Sequence, residues 1–285
     1  MDLKKIFLTL GIISILLIPV SIGTKVDYSG SVLTVGDGGY SSIQEAINAA
    51  NHGDEIIVLN GTYYENIVVN KSVKIQGEDI YNTFIDAGGF GHALAITMDN
   101  VTINGFTIQN SGPDEWDAAI RVSANNSHIF NNRLINNTDG ISLIPSCNST
   151  INDNYIENGL AGIDVYGLGV DAVGNNISEN YLVNITYAIW IGFAHNNEIS
   201  KNKFIRNRYA IMMEDSYDNV FSQNYFKDNH LNARFTNDSN NIWKNNFWDR
   251  PRFLPYFIFG YKEIGIFRIP MINIDWKPMF VSPLQ

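Results

Sequence analysis

The chain has 285 residues, of which 45% are hydrophobic and 12% aromatic, and this composition is that of a folded protein rather than a disordered one. Its formal net charge of −10, without a stripe of lysine and arginine, argues against nucleic acid as a partner. Cys147 is the single cysteine, so no disulfide can form within one chain and the fold depends on its core.

The first segment of the chain has the features of an export signal. Lys4 and Lys5 form a basic start, an apolar run extends over residues 6–20, and Ser21 and Gly23 suit a cleavage site. The run is short for a permanent transmembrane helix, which needs about 20 apolar residues. We therefore expect residues 1–23 to be a signal peptide and the protein to be secreted or at the cell surface. An uncleaved N-terminal membrane anchor is the alternative.

A short helix is predicted next, over residues 41–50. Ile43, Ala46, Ile47 and Ala50 fall on one helical face, and Ser41 or Ser42 can cap the helix. We expect this helix to cover the apolar end of the strands that follow it. Those predicted strands are Glu55–Leu59, Ile67–Val69, Val73–Ile75, Phe84–Asp86 and Ala93–Thr97.

From residue 101 to residue 247 the sequence repeats with a period of about 22 residues, as solenoids do. Each copy has an apolar residue, an asparagine three positions later and another apolar residue two positions after that. The copies are Ile129-Asn132-Leu134, Ile151-Asn154-Ile156, Ile177-Asn180-Leu182, Ile199-Asn202-Phe204, Phe221-Asn224-Phe226 and Ile242-Asn245-Phe247, with a looser one at Ile103-Phe106-Ile108.

Nine positions after each asparagine, a short run alternates apolar and variable residues, as in Ile141-Ser142-Leu143, and this alternation predicts a half-buried strand. An asparagine at a turn can bond the backbone and the equivalent amide one coil away, so we interpret these asparagines as structural. The sequence predicts an all-β fold, a right-handed parallel β-helix over residues 31–247. Residues 248–285 lose the repeat, gain proline and aromatic residues, and are predicted to form a C-terminal cap, or alternatively a docking surface for a partner or a membrane.

The chain resembles a known group of proteins over residues 31–285. Stretches such as Gly61-Thr62-Tyr63-Tyr64-Glu65-Asn66 resemble the start of pectate-lyase-like β-helix proteins. The repeats resemble those of NosD-like, CASH-type (carbohydrate-binding and sugar-hydrolase) proteins, and Trp248-Asp249-Arg250-Pro251 resembles the ending of archaeal surface members. The resemblance implies the fold. It does not specify an activity, because one fold hosts many functions.

NosD itself is linked to copper-site maturation, but His52, His92, His128, His195 and His230 are scattered without ligand spacing, so we predict no metal and no cofactor. Calcium at acidic groups such as Asp114 and Asp117 has no diagnostic spacing to support it. The signatures of pectinases, esterases and alginate epimerases are not intact in the sequence.

A candidate glycan-binding face follows from stacking the repeats. One outward column reads Arg121, Ser142, Asp164, Trp190, Met212, Arg234. Two loops are longer than the repeat requires, Gln109–Asp117 and Tyr166–Asn176, and they flank this column. Sugars stack on aromatic rings and bond charged groups, so we predict a glycan site there. Its residues are Trp116, Asp117, Arg121, Asp164, Tyr166, Asp171, Trp190 and Glu214. In the alternative interpretation the loops cover the rings, and Arg121 and Asp164 form an ordinary surface pair.

The acidic residues of this face bear on catalysis. Asp164 and Glu214 are two coils apart, roughly 10 Å along the axis, whereas glycosidases place two carboxyls about 5 to 9.5 Å apart. We expect no adjacent coils to carry carboxylates on this face. The sequence therefore favours a non-enzymatic surface protein that binds carbohydrate or has a structural role. A polysaccharide lyase, epimerase or hydrolase is the second hypothesis, and a NosD-like periplasmic maturation protein is the third.

Glycosylation of an exported chain is a further expectation, because Asn-x-Ser/Thr sequons are frequent. They begin at Asn60, Asn70, Asn100, Asn125, Asn136, Asn148, Asn176, Asn184 and Asn237.

Overall fold

The structure is a computed structural model that describes residues 30–282. The predicted export signal, residues 1–23, lies outside the described residues. Within the described part of the chain, no helix is long and apolar enough to cross a bilayer.

Short strands make up almost all of the described chain. The first are β1 (Val32–Val35), α1 (Ile43–Ala49), β2 (Glu55–Val58), β3 (Gly61–Tyr64), β4 (Ile67–Val69), β5 (Lys74–Gly77), β6 (Thr83–Asp86), β7 (Leu94–Ile96), β8 (Thr102–Asn104), β9 (Thr107–Gln109) and β10 (Ala118–Val122). Next come β11 (His128–Phe130), β12 (Arg133–Ile135), β13 (Asp139–Leu143), β14 (Thr150–Asn152), β15 (Tyr155–Tyr166), β16 (Ala172–Val173), β17 (Asn176–Ser178), β18 (Tyr181–Gly192) and β19 (Ala194–His195). The last are β20 (Glu198–Ser200), β21 (Lys203–Ile205), β22 (Tyr209–Glu214), β23 (Val220–Ser222), β24 (Tyr225–Lys227), β25 (Leu231–Thr236), β26 (Ile242–Lys244), β27 (Phe247–Trp248), β28 (Tyr256–Ile264) and β29 (Phe267–Asp275).

These strands stack in parallel into three walls, which confirms the predicted β-helix. Wall 1 is a sheet of ten strands in the order β1-β2-β5-β8-β11-β14-β17-β20-β23-β26. Wall 2 runs from β3 through β6, β9 and β12 to β27, and wall 3 runs from β4 through β7, β10 and β13 to β28. The 12-residue strands β15 and β18 turn the corner between walls 2 and 3 and belong to both.

The predicted N-terminal helix is present with the predicted buried stripe. Ser42 is its cap, accepting a hydrogen bond from the Glu45 amide, and the Glu45 carboxylate in turn accepts from the Ser41 hydroxyl. Ile43, Ala46 and Ile47 are fully buried in the core. Strands β1 and β3 were not predicted from the sequence, and every other residue of each is exposed.

Buried asparagines bond from coil to coil at the corner between walls 1 and 2, as predicted. Asn154 donates its side-chain N–H to the Asn180 carbonyl oxygen at 3.0 Å, and Asn180 donates to Asn202 at the same distance. The same amides also satisfy backbone carbonyls of the preceding coil, as Asn180 does with Ile151 at 2.8 Å. The other two corners have ladders that the sequence analysis missed, formed by Asn175, Asn197, Asn219 and Asn241 and by Asn207 and Asn229.

The last predicted repeat copy, Ile242-Asn245-Phe247, is wrong by one residue. Asn224 bonds Asn246, and Phe221 stands in register with Trp243. A shift of one residue in a strand exchanges its two faces. Accordingly Trp243 and Trp248 are buried, whereas Ile242 is 52% exposed.

The C-terminal segment closes the ladder with a carboxylate. Asp275 is fully buried, and one of its oxygens accepts from the Asn246 amide side chain at 3.0 Å and from the Trp248 indole at 3.1 Å. Rings continue the core stack in the same direction, since Trp248 lies on Phe226 at 4.3 Å and Tyr256 lies on Trp248 at 4.0 Å between centroids. The base of the β28–β29 hairpin therefore packs on the last coil.

A break in the ladder is expected to destabilise the protein strongly. Asn202→Ala removes the oxygen that accepts from the backbone N–H and the side-chain N–H of Asn180. It also removes the N–H that donates to the Ile177 carbonyl, and all three hydrogen bonds are buried. Unsatisfied buried groups cost about 1–3 kcal/mol each, so we expect a loss of about 3 kcal/mol or more in the free energy of unfolding. Chemical denaturation measures it. Asn176→Ala, at an exposed position of β17, is the control, and equal effects of the two substitutions would contradict the structural role of the ladder.

Candidate functional site

The candidate site lies on wall 3, where the strand register confirms the predicted column. Arg121 is in register with Ser142, Ser142 with Asp164, and Asp164 with Trp190. Neighbouring parallel strands are about 4.8 Å apart, so side chains at these positions follow one another up the outside of the wall.

The loop between β9 and β10 folds over this column. Thr138 fastens the loop by donating its hydroxyl to the Gly112 carbonyl at 2.7 Å, and the Asp117 carboxylate accepts from the Asp114 amide at 3.3 Å. Trp116 is in the left-handed region, with φ of 79°. That conformation is unfavourable for a bulky side chain and persists only where the surrounding structure imposes it.

Three aromatic rings meet at the top of the column. The Trp116 indole lies 5.6 Å from the Tyr166 ring and 6.5 Å from the Trp190 ring, measured between centroids. Trp190 also packs on Tyr187 at 5.3 Å. Tyr166 can lie over the next coil because residue 192 is glycine, where a Cβ would fall 2.5 Å from the tyrosine ring. We call Trp116, Tyr166 and Trp190 the aromatic cluster.

A pair of buried carboxyl groups lies beside the cluster, on the adjacent strands β13 and β15. Asp139 is 3% exposed and Asp164 is 1% exposed. Asp139 accepts a hydrogen bond from the Ala161 amide at 3.2 Å. Asp164 Oδ1 and the Ser142 hydroxyl, which is also fully buried, have no hydrogen-bond partner among the described residues. Buried polar atoms are usually paired, so these two unpaired atoms on adjacent strands make this part of wall 3 a candidate site.

Burial raises the pKa of both carboxyls. It raises the pKa of Asp139 to about 6, with the hydrogen bond from Ala161 and the charge of Arg121 acting in the opposite direction. The pKa of Asp164 lies well above its usual value, because of burial first and repulsion by Asp139 second, and Arg121 again opposes the shift. The two groups are thus close enough to influence each other's charge. Near neutral pH such a pair can hold a proton on one member.

Arg121 borders the pair, and His92 lies near Arg121. The Arg121 guanidinium is within 3.5 Å of the Ile144 carbonyl and the Ser123 hydroxyl, and its charge acts on both carboxyls. His92 accepts from the Ala118 amide at 3.1 Å, and burial, together with Arg121, lowers its pKa.

The structure gathers some of the predicted residues and separates others. Trp116, Arg121, Asp164, Tyr166 and Trp190 lie together. The remaining three are differently placed. Asp117 turns its carboxylate into its own loop, Asp171 lies at a turn 3.7 Å from His195, and Glu214 is exposed two coils beyond Asp164, in register with Gly192.

Asp139 is a second carboxyl that the column did not include, because it stands three positions before Ser142, at the start of its strand. The alternative interpretation of the acids on this face is wrong. Arg121 and Asp164 are not an ordinary surface pair, because Asp164 is buried. Asp139, Ser142 and His92 were missed as site residues. The one signal in the sequence was the Asp-Gly pair that opens β13.

The sequence of residues 47–252 matches the family described as periplasmic copper-binding protein (NosD). The chain belongs to the NosD family. No curated protein sequence matches the chain. Among solved structures, an alginate lyase from Paenibacillus sp. is similar with a TM-score of 0.61 at 16% identity, over 78% of this chain and 88% of that one. A pectin methylesterase from carrot is similar with a TM-score of 0.51 at 14% identity, over 75% of this chain and 82% of that one. At such identities these likenesses show a common fold.

The family description raises the question whether the described residues of this NosD-family protein fit copper, which favours imidazole and thiolate ligands. Three imidazoles already bond within the stack: His52 to the Ser72 amide, His92 to the Ala118 amide and His128 to the Asn152 side chain. Cys147 contacts the Asp171 carbonyl at 3.5 Å. In residues 30–282 no three His, Cys, Asp or Glu side chains are grouped so as to hold a metal ion. The described residues do not fit a copper site, and we assign no step to copper.

The raised pKa of Asp139 predicts a pH-dependent contribution to stability. Its folded pKa of about 6 exceeds the ordinary 3.8, so the folded state binds the proton more tightly than the unfolded state. Proton binding by Asp139 therefore adds about 3 kcal/mol to the free energy of unfolding below about pH 4. This stabilisation is lost as the pH rises through about 6.

Asp139→Asn should therefore reduce the fall in the free energy of unfolding between about pH 4 and about pH 7. Denaturation at both pH values measures the slope. Asp114→Asn, in the exposed part of the loop, should keep the wild-type slope. An unchanged slope in Asp139→Asn would show that this carboxyl does not titrate as stated.

Proposed function

We propose that this NosD-family protein is an exported β-helix that binds carbohydrate at the aromatic cluster of wall 3. The observation that carries the proposal is the contact of Trp116 with Tyr166 and Trp190 directly beside Arg121 and two buried carboxyls. The apolar faces of a sugar stack on such rings, and its hydroxyls bond charged and polar groups. All three rings keep part of their surface exposed.

The surroundings of the cluster support a binding face. Phe193 packs edge-on against Tyr166 at 5.4 Å and is 41% exposed, so the aromatic surface extends to the next coil. Leu168 and Val170, in the loop after β15, are 66% and 65% exposed and border the same strand end. Exposed apolar side chains gathered next to unpaired polar atoms are typical of ligand sites. The solved β-helices similar to this chain are named for alginate and pectin, which agrees with carbohydrate as the ligand class.

A second candidate function, modification of a polysaccharide, is favoured by the carboxyl pair. Acid–base chemistry near neutral pH needs one group that holds a proton and one that accepts it, and two interacting carboxyls with raised pKa supply both. Arg121 would stabilise negative charge that develops on the sugar. Asp164 is covered by its surroundings, so this function requires the Trp116 loop to move away when substrate binds.

The binding proposal predicts that the rings carry the affinity. Trp116→Ala and Trp190→Ala should each weaken glycan binding about tenfold or more, since a stacked aromatic pair and its burial contribute on the order of 1.5 kcal/mol or more. A panel of immobilised glycans that includes polyuronates identifies a ligand, and titration calorimetry measures the change. Trp276→Ala, which removes an indole that is 69% exposed in the C-terminal segment, is the matched control. Unchanged affinity in both cluster variants would place the binding elsewhere.

Mass spectrometry of the recovered glycans separates the two functions. Intact glycans retained by the wild type indicate a binding protein. Shortened or unsaturated chains, absent with Asp164→Asn and with Asp139→Asn while binding persists, indicate an enzyme that uses the carboxyl pair. Products that persist in both variants would contradict the role of these carboxyls.

A further inference from the structure

The β28–β29 hairpin extends beyond the coil that holds it. Each strand has nine residues, but β28 pairs with the solenoid only at Gly260 and Tyr261, opposite Phe235 and Thr236. The last bond to the solenoid before the tip runs from the Glu263 amide to the Asn237 side-chain oxygen at 2.7 Å. Among the described residues, β29 pairs with no strand other than β28. The base is fixed by buried Asp275, whereas the part from Lys262 to Ile269 contains only exposed residues.

The turn at the tip of this hairpin is apolar and exposed. Ile266 is 92% exposed, Phe267 69% and Ile264 53%. Ile264 and Phe267 are paired across the strands and share one face, and the next pair, Glu263 and Arg268, lies on the other face. Exposed apolar side chains at a turn with charged side chains directly behind them suit the interface of a bilayer, where the apolar groups leave water and the charges stay in it.

The hairpin segment also differs from the rest of the chain in charge. Residues 248–282 contain the basic residues Arg250, Arg252, Lys262, Arg268 and Lys277, and only the acidic residues Asp249, Glu263 and Asp275. Asp275 is buried under the last coil. The chain as a whole has a net charge of −10, whereas the projecting part, Lys262 to Ile269, has two basic residues and one acidic residue. This combination attracts an anionic lipid surface and is typical of segments that dock in the interface of a bilayer.

We propose that the tip, Ile264–Phe267, inserts into the interfacial region of an anionic lipid membrane. Directly behind the tip, Arg268 and Glu263 form an ion pair across the strands at 3.0 Å, and Lys262 is exposed beside them. These charges belong at the level of the lipid headgroups, which limits insertion to about 5–10 Å. At that depth water still reaches the unpaired edge of β29, so its backbone groups are not stranded in hydrocarbon.

Docking of a second copy along the same edge is the main competing arrangement. Pro270 lies in the middle of β29 and has no N–H to donate, which opposes the addition of another strand. The membrane is therefore the occupant that fits both the apolar tip and the edge.

Vesicle binding by the full chain tests the proposal. Wild type and Ile266→Asp/Phe267→Asp are compared on vesicles of phosphatidylglycerol with phosphatidylcholine and on phosphatidylcholine alone. We expect binding to the anionic vesicles to fall about tenfold or more in the variant, because two apolar side chains are lost from the insertion. Tyr81→Asp/Phe90→Asp removes two large side chains of the solenoid that are 69% and 76% exposed, adds the same two negative charges and should bind as wild type does.

A second readout reports on the tip itself, independently of residues 1–23. The indole introduced by Ile266→Trp should be quenched by brominated lipid in the anionic vesicles, relative to wild-type protein. Equal binding by the wild type and the tip variant, or an unquenched indole, would overturn the proposal. Self-association of the wild type without lipid that disappears in the tip variant would also overturn it, in favour of a second copy. Glycan binding by the tip variant should remain, so this test and that of the carbohydrate site can fail separately.

Discussion

Side-chain amides that bond from one coil to the next are the interaction on which the rest of the structure depends. At the corner between walls 1 and 2 the ladder runs through Asn132, Asn154, Asn180, Asn202 and Asn224 to Asn246. Each side-chain oxygen accepts from the asparagine of the preceding coil, and each side-chain N–H group donates to the asparagine of the next coil and to a backbone carbonyl, so the polar groups at this sharp bend find partners. A chain without a disulfide can thus hold its coils in one register.

The register set by the ladders determines what wall 3 can present. Side chains at one column position recur at the spacing of parallel strands, so Arg121, Ser142, Asp164 and Trp190 become neighbours although they are far apart in sequence. The loop between β9 and β10 contains none of these ladder asparagines and is longer than the repeat requires. Its length allows Trp116 to lie over the coils that follow it, where the Trp116 ring contacts Tyr166 and Trp190.

The sequence predicted those parts of the fold that depend on periodic spacing. The strands of wall 3 and the first ladder follow directly from the repeat. The last coil was misassigned because Asn245 and Asn246 are adjacent, and only the burial of Trp243 and Trp248 decides between them. Asp139 was missed for a similar reason, since stacking strand centres says nothing about side chains at the start of a strand. The position of Trp116 depends on a φ of 79°, which no propensity of tryptophan would suggest.

The unusual features of wall 3 are concentrated where the long loop crosses it. Burying two carboxyls raises the pKa of both and so disfavours their charged forms, and a serine or threonine at either position would avoid that cost. The unpaired Asp164 and Ser142 oxygens and the left-handed Trp116 add to the cost at the same place. A ladder corner also holds one buried carboxyl, Asp238, whose pKa is raised to about 8 by burial although it accepts a hydrogen bond from the Ser216 amide at 3.0 Å. Strain and perturbed carboxyls gather at functional sites more than at structural ones, and their combination with an aromatic cluster on wall 3 supports the carbohydrate site that we propose there.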